Sequence, residues 1–261
     1  KMTYIDTHCH INDDCLFPHR KEIIEEAMKE GVNLFIVPGW NLESSRKAVM
    51  IAHEFPNVYA AVGIHPENIE EEKESSLLEI KELAKDKKVV AIGEIGLDYH
   101  WNKEKMNHDL QKEWFIKQIA LANELSLPIS IHSRDASEDT LLLLKEHPLI
   151  HHAVLHCYSG SSELLHEFTK LGLYFGFDGP ITYKNAVVPK ENVILCPLDR
   201  ILSETDSPYL SPVPYRGKEN HPAYVKEIVN QIAFLKQLSV EEITEAIRDN
   251  VASLFHVEPK Q

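Results

Sequence analysis

Val89-Val90-Ala91-Ile92-Gly93-Glu94-Ile95-Gly96 is an apolar, β-branched run that contains a single charged residue, Glu94. Such a run predicts a buried strand, and a carboxylate buried there costs free energy unless it is paired or bound to a metal ion. A salt bridge to a neighbouring strand is one explanation. The other is metal binding, in which the two oxygens of Glu94 can bridge two cations.

Seven similar short runs alternate with longer amphipathic segments along the rest of the chain. Strands are predicted at 4–8, 34–38, 58–64, 89–95, 129–132, 153–156, 173–177 and 201–204. Helices are predicted at 20–30, 42–54, 76–85, 106–125, 137–146 and 161–171, and two more, at 222–238 and 240–254, follow the eighth strand. This alternation predicts parallel β/α packing, either as a closed barrel or as a doubly wound open sheet.

The positions of the polar residues distinguish these two architectures. No G-x-G-x-x-G loop follows the first strand, which disfavours the dinucleotide-binding open sheet. Histidines and carboxylates instead fall at the ends of strands one, four, five, six and eight, and a barrel gathers its catalytic groups at one such rim. We therefore predict an α/β fold, a (β/α)8 TIM-type barrel, that forms a single domain over residues 1–261.

Four imidazoles and two carboxylates are the candidate metal ligands. Two of the histidines are separated by one residue at a strand end, so both can point to the same face. Any one of these histidines could instead lie on an exposed strand edge or be a hydrogen-bonded residue of the core. Several of them at one rim favour metal binding. The predicted ligands are His8, His10, Glu94, His132, His156 and Asp206.

Glu204 shares the parity of Asp206 in the last strand, and we predict that it orients ligands rather than binding metal. The ligand set suits zinc, manganese, nickel or iron, and magnesium remains possible if water completes its coordination. We expect two divalent metal ions, with zinc, manganese and magnesium as the candidates.

Composition sets limits on partners and location. The chain has 27 basic and 41 acidic residues and a net charge of −14, which argues against coating long nucleic acids through a broad basic surface. No apolar run reaches the roughly 18 residues that a membrane span needs. The first residues do not resemble a signal peptide, and the four cysteines form no C-x-x-C pair. We expect a cytoplasmic protein that contacts no membrane and has no stable protein partner.

Seven segments of the chain together resemble the TatD family of metal-dependent deoxyribonucleases, part of the amidohydrolase-like barrel superfamily. The matching segments are IDTHCH at 5–10, VGIHP at 62–66, IGEIGLDY at 92–99, PISIHSRDA at 128–136, HCYSG at 156–160, ETDSPYL at 204–210 and YRGKEN at 215–220. They occur in the family's order and span nearly the whole chain.

The resemblance implies that one metal is held by His8, His10, Glu94 and Asp206, and the other by Glu94, His132 and His156. It also implies hydrolysis of phosphodiesters in DNA, with exonuclease character, so the expected partner is the end of a DNA strand, with RNA as the alternative substrate. Two segments depart from the family pattern: FDGP at 177–180 replaces a serine-glycine-hydrophobic stretch, and His100 follows Tyr99 where another aromatic residue is common.

The hypothetical reaction uses a hydroxide held between the metals that attacks phosphorus in line. Glu94, Asp206 and His65 are the predicted catalytic residues, of which Asp206 moves the water's proton and His65 binds phosphate or protonates the leaving group. The predicted substrate-binding residues are His65, Arg134, Arg216 and Asn220, with Lys218 as a further candidate clamp. Packing is the plain alternative for His65, and ordinary surface charge is the alternative for the cations.

Four aromatic residues near the predicted rim are candidates for stacking on a base, although packing is the commoner role. They are Trp40, Tyr99, Trp101 and Tyr158.

Two other functions stay open. A metal-dependent amidohydrolase would act on a small cyclic amide or lactone, often through a carboxylated lysine, but no lysine occupies a predicted ligand position. A metal-stabilised binding module would have closed sites that protein ligands satisfy completely.

Overall fold

The computed structural model describes residues 2–259. Eight parallel strands lie side by side in chain order. They are β1 (Tyr4–Asp6), β2 (Val32–Pro38), β3 (Val58–Val62), β4 (Val89–Asp98), β5 (Ile129–Arg134), β6 (Ala153–Leu155), β7 (Tyr174–Phe177) and β8 (Ile201–Ser203). The predicted (β/α)8 barrel is confirmed.

Hydrogen bonds between the first and last strands close the barrel. The Thr7 amide donates to the Ser203 carbonyl at 3.0 Å, and the Ser203 hydroxyl donates to the Ile5 carbonyl at 2.7 Å. The buried carboxylate of Asp6 accepts hydrogen bonds from the backbone and side chain of Thr205. The residues on either side of β8 are thereby fixed to those around β1.

Helices surround the strands. They are α1 (Arg20–Lys29), α2 (Leu42–Glu54), α3 (Glu74–Leu83), α4 (Lys105–Leu125), α5 (Ser137–Glu146), α6 (Ser162–Lys170), α7 (Val187–Leu195), α8 (Val225–Lys236) and α9 (Val240–Phe255). Buried apolar residues of strands and helices form one continuous core, in which the largest side chains include Phe35, Phe115 and Phe175. None of the helices within residues 2–259 is long and apolar enough to cross a membrane.

Several elements differ from the sequence-based expectation. Helix α7 was not predicted, because its first turn, Val187-Val188-Pro189, lacks a helical apolar period and contains a proline. Strand β4 continues to Asp98, so Glu94 lies inside the strand and not at its end. His8 and His156 lie just beyond β1 and β6. The segment predicted at 222–238 opens with a separate 3-10 turn, Pro222–Tyr224.

Ser203→Ala tests the closure of the barrel. It removes a hydroxyl that is completely buried and leaves the Ile5 carbonyl without this donor, so we expect a loss of about 1–2 kcal/mol in the free energy of unfolding. Urea denaturation followed by circular dichroism measures it. Ser75→Ala, at an exposed position on α3, is the control. Equal midpoints for both variants would show that this bond contributes nothing to closure.

Candidate metal centre

Glu94 is aimed into the barrel mouth by an irregularity in β4. The register between β4 and β5 shifts between Ile92 and Ile95, which is the form of a β-bulge and redirects the side chain there. A Cβ on Gly93 would lie 2.7 Å from the Ser130 Cβ and 2.8 Å from its carbonyl oxygen, so only glycine permits this approach. Glu94 itself is 4% exposed.

The first group of candidate ligands surrounds Oε1 of Glu94. The His8 Nε2 lies 3.3 Å from this oxygen, and the His10 Nε2 lies 3.7 Å from it. Asp206 Oδ1 completes the group, at 3.0 Å from His10 Nε2 and 3.5 Å from His8 Nε2. Ligand atoms held about 2.0–2.1 Å from a tetrahedral zinc ion are separated by about 3.3–3.4 Å. The group therefore has the spacing of a cation site.

Two imidazole nitrogens face each other within this group. His8 Nε2 and His10 Nε2 are 3.2 Å apart, and the His10 Nδ1 is buried without a hydrogen-bond partner. At most one of the facing nitrogens can donate a proton to the other. A cation between them would use the lone pairs of both, so these residues fit a bound metal ion.

The second group surrounds Oε2 of Glu94. His132 Nδ1 is 3.0 Å and His156 Nε2 is 3.7 Å from this oxygen. His156 also stacks on the His8 ring, with 3.5 Å between the ring centroids, so the two groups are in contact. Among the described residues, His132 and His156 do not fall in one compact cluster: His132 groups with His65 around Glu94, His156 groups with His8, and the ring centroids of His132 and His156 are 6.3 Å apart.

Both histidines of the second group are oriented by a further carboxylate. The His132 Nε2 lies 2.7 Å from Asp98 Oδ2, and the His156 Nδ1 lies 2.7 Å from Glu204 Oε1. Metal-binding histidines usually donate their other ring N–H to such a group, which fixes the ring and its tautomer. Glu204 thus lies beside a candidate ligand, as the sequence analysis predicted. Asp98 was not predicted, although an acid four residues after Glu94 in the same strand was the available signal.

His65 differs from these histidines in how its two nitrogens are used. Its Nδ1 accepts a hydrogen bond from the Glu67 amide at 3.0 Å, so the proton of the neutral ring lies on Nε2. This Nε2 is 3.2 Å from Glu94 Oε2. His65 is therefore arranged as a hydrogen-bond donor at the mouth and not as a metal ligand with a free lone pair.

The electrostatics of the centre favour positive charge. Burial alone would raise the pKa of Glu94, but the surrounding histidines outweigh it and hold the pKa well below its ordinary value. Burial opposes protonation of His132, but its hydrogen bonds with Asp98 and Glu94 raise its pKa to about 9. The pKa of His156 is raised well above its ordinary value, since the charges of Glu204, Asp206 and Glu94 outweigh burial. An imidazole must be deprotonated to bind a metal, so a cation that binds here displaces these protons and takes over the compensation of the carboxylates.

The predicted substrate-binding residues lie at very different depths. Arg134 lines the cavity over the metal centre, together with His65. Arg216 is exposed and stacks on the Tyr183 ring with 3.7 Å between its Cζ and the ring centroid, outside the lining of that cavity. Lys218 is exposed two residues further on.

Asn220 cannot contact substrate in this arrangement. It is 0% exposed, and its amide nitrogen donates to the carbonyls of Thr205 (2.8 Å) and Tyr209 (2.6 Å). These bonds fasten the loop that carries Asp206, so its position indicates a bracing role. The sequence pattern could not distinguish an asparagine that faces substrate from one that holds the loop behind it.

The four aromatic candidates for base stacking also differ in whether their side chains line the cavity. Tyr158 is buried with its hydroxyl bonded to the Ser161 carbonyl, and Tyr99 stacks on His108 while its hydroxyl donates to Asp139. Trp40 and Trp101 line the cavity. Asp178, in the segment that we expected to differ from the family pattern, is buried beside Glu204 and does not line that cavity. Burial and the charges of Glu204 and Asp206 raise its pKa well above its ordinary value.

A cavity of about 650 Å³ opens over the cluster. Its lining combines the metal-ligand candidates with two tryptophans, Tyr209 and Arg134. This volume is within the usual range of small-molecule and cofactor sites. The centre is therefore accessible from outside and is large enough for a nucleotide-sized group.

The barrel and its rim of histidines and carboxylates define the class: a metal-dependent hydrolase on a (β/α)8 scaffold. Residues 5–256 match the family model described as TatD related DNase. The chain belongs to the TatD family.

Individual relatives agree with this assignment. The metal-dependent hydrolase YabD of Bacillus subtilis (strain 168) is 45% identical over 97% of this chain and 98% of its own length. The metal-dependent hydrolase YcfH of Escherichia coli (strain K12) is 36% identical over 98% of this chain and 97% of its own. The crystal structure of YjjV, a TatD homolog from Escherichia coli K12, has a TM-score of 0.93 and 30% identity, and the match covers 97% of this chain and 98% of that one.

Asp98→Asn tests the orientation of His132. The substitution keeps the shape of the side chain but weakens the hydrogen bond that fixes the ring, so we expect metal affinity to fall about 10- to 100-fold. Competition with a chromophoric chelator measures it. Asp199→Asn, at an exposed position before β8, is the control. Unchanged affinity in Asp98→Asn would remove Asp98 from the metal centre.

Proposed function

We propose that this protein hydrolyses DNA phosphodiesters from strand ends with two divalent metal ions, zinc, manganese or magnesium. The observation that carries the proposal is the division of Glu94 between two sets of imidazoles. Oε1 faces His8 and His10, whereas Oε2 faces His132 and the hydrogen-bond donor His65, with His156 at 3.7 Å. A carboxylate shared in this way suits a bridge between two cations. Family membership supports DNA as the substrate, and RNA stays a possible second one.

Two bound divalent cations would lower the pKa of a water between them, polarise phosphoryl oxygens and stabilise the leaving alkoxide. The residues of the chain supply proton transfer and orientation. Asp206 contributes Oδ1 to the first ligand group and lines the cavity, so we assign its other oxygen to accept the proton of the attacking water. Burial opposes ionisation of Asp206, but His156 and His10 keep its pKa below the ordinary value, so it stays ionised.

His65 is assigned to the phosphate or to the leaving oxygen. It lines the cavity, and its Nε2, which carries the proton because Nδ1 accepts from the Glu67 amide, lies 3.2 Å from Glu94 Oε2. Arg134 is assigned to a phosphate, for which a guanidinium offers a bidentate fork. Arg216 and Lys218, outside the cavity lining, are assigned to parts of the strand further from the reaction.

Glu94→Ala is expected to lower kcat/KM for a phosphodiester by at least about a thousandfold at saturating metal, because it removes the group that holds both cations. The assay uses bis-p-nitrophenyl phosphate and a labelled DNA strand. Circular dichroism and the thermal midpoint check that the variant folds, and Glu191→Ala, exposed on α7, is the control. Near-normal turnover in Glu94→Ala would contradict the bridging role.

A substrate panel with defined metal content separates this function from its rivals. Exhaustive chelation should abolish activity, and zinc, manganese or magnesium should restore it. With metal restored, linear single-stranded DNA should be degraded much faster than circular single-stranded DNA, which has no ends. Strands labelled at the 3′ or the 5′ end report the direction of digestion.

The opposite results have distinct meanings. Activity in protein shown to be metal-free by elemental analysis would rule out a metal-dependent hydrolase. Turnover of dihydroorotate without cleavage of DNA would favour the amidohydrolase. Equal rates on linear and circular strands would overturn the restriction to strand ends.

A further inference from the structure

Trp101 is unusually exposed for a large aromatic side chain beside an active-site cavity. It is 68% exposed and lies in the loop that follows β4, where it lines the same cavity as His132. His100 packs edge-on against its ring at 4.7 Å, and the Arg134 guanidinium lies 5.5 Å from the ring centroid. An exposed ring at the edge of a cavity presents a flat surface to a ligand.

The two loops that carry this surface are joined at several points. The Tyr99 amide donates to the Arg134 carbonyl at 2.9 Å, and the His100 Nδ1 lies 3.1 Å from Asp135 Oδ2. The His100 amide donates to Asp98 Oδ1, and the other oxygen of Asp98 contacts His132. These bonds join the residues just before Trp101 to the side chain that orients His132.

Arg134 has no carboxylate within ion-pair distance in the part of the chain that the structure describes, although the chain has 41 acidic residues. It is exposed and lies two residues after His132 in β5, so both side chains project from the same face of the strand. Two residues along a strand span about 6.6 Å. This short backbone separation allows His132 and Arg134 to contact neighbouring groups of one ligand.

We propose that Trp101 and Arg134 form a subsite for the nucleotide next to the scissile phosphate: Trp101 stacks on its base and Arg134 binds its phosphate. His100 and Asp135 are positioning residues, because they fix the loop and do not contact the nucleotide. The subsite rests on the proposed function and names the group that the enzyme recognises, a single-stranded nucleotide with an unpaired base. Recognition by stacking tolerates all four bases.

Trp101→Ala tests the base contact. We expect the ratio of kcat/KM for a short single-stranded oligodeoxynucleotide to that for bis-p-nitrophenyl phosphate to fall about 5- to 150-fold, which corresponds to the 1–3 kcal/mol of base–aromatic stacking. Trp101→Phe should restore most of the ratio, and His100→Ala should lower it less than Trp101→Ala. Phe234→Ala removes an aromatic side chain that is 76% exposed on α8 and should leave the ratio unchanged.

Arg134→Ala tests the phosphate contact. In this variant the dependence of log KM for the oligonucleotide on log salt concentration should become shallower by about 0.7, the contribution of one phosphate on a single strand. Arg248→Ala, exposed on α9, is the matched control and should keep the wild-type slope.

Wild-type turnover of the oligonucleotide is measured first. Its absence would overturn the proposed function and the subsite together. If the wild type cleaves the oligonucleotide, an unchanged ratio in Trp101→Ala or an unchanged slope in Arg134→Ala would overturn the subsite alone. A ratio that Trp101→Phe fails to raise above that of Trp101→Ala would also contradict stacking.

Discussion

The charge of Glu94 lies inside a ten-residue strand that is buried along its whole length. Within residues 2–259, its ion-pair partners are all imidazoles and include no lysine or arginine. A buried carboxylate needs compensation, and neutral imidazoles supply it only by taking up protons or by sharing a cation. The arrangement of the mouth follows from this requirement, because five histidines must reach one carboxylate.

The closed barrel makes that convergence possible. The ligands come from segments almost 200 residues apart, yet the bonds between β1 and β8 bring the loop of Asp206 against the loop of His10. Behind them, Asp98 and Glu204 fix two imidazoles, and Asn220 braces the Asp206 loop. These supporting contacts fix the orientation of the His132 and His156 rings and the position of the Asp206 loop. Preorganisation of this kind is what precise catalytic geometry requires.

Sequence patterns were sufficient to predict the barrel because the hydrophobic period, the turn residues and the positions of the polar groups all indicated the same architecture. They also pointed to the residues of the central cluster, since the four histidines and Asp206 are polar side chains at or near the ends of apolar strands and Glu94 is a charge inside one. They failed where local pattern and tertiary role diverge. Helix α7 begins with residues of poor helix propensity, and packing decides its structure. Asn220 and Arg216 belong to one motif, but one is buried and the other exposed, which depends on the path of a loop and not on residue type.

The acidic composition of the chain constrains how it can bind a polyanion. Most of its surface repels a long strand, and the basic groups of most use at the rim are arginines stacked on aromatic rings, Arg134 on Trp101 and Arg216 on Tyr183. Cations at the centre would add positive charge at the same rim. Attraction is then confined to a small region, whereas repulsion acts along the rest of the polymer. The strand end of the proposed function satisfies both conditions, because it would place a few phosphates at the mouth while the remainder of the nucleic acid stays in solvent.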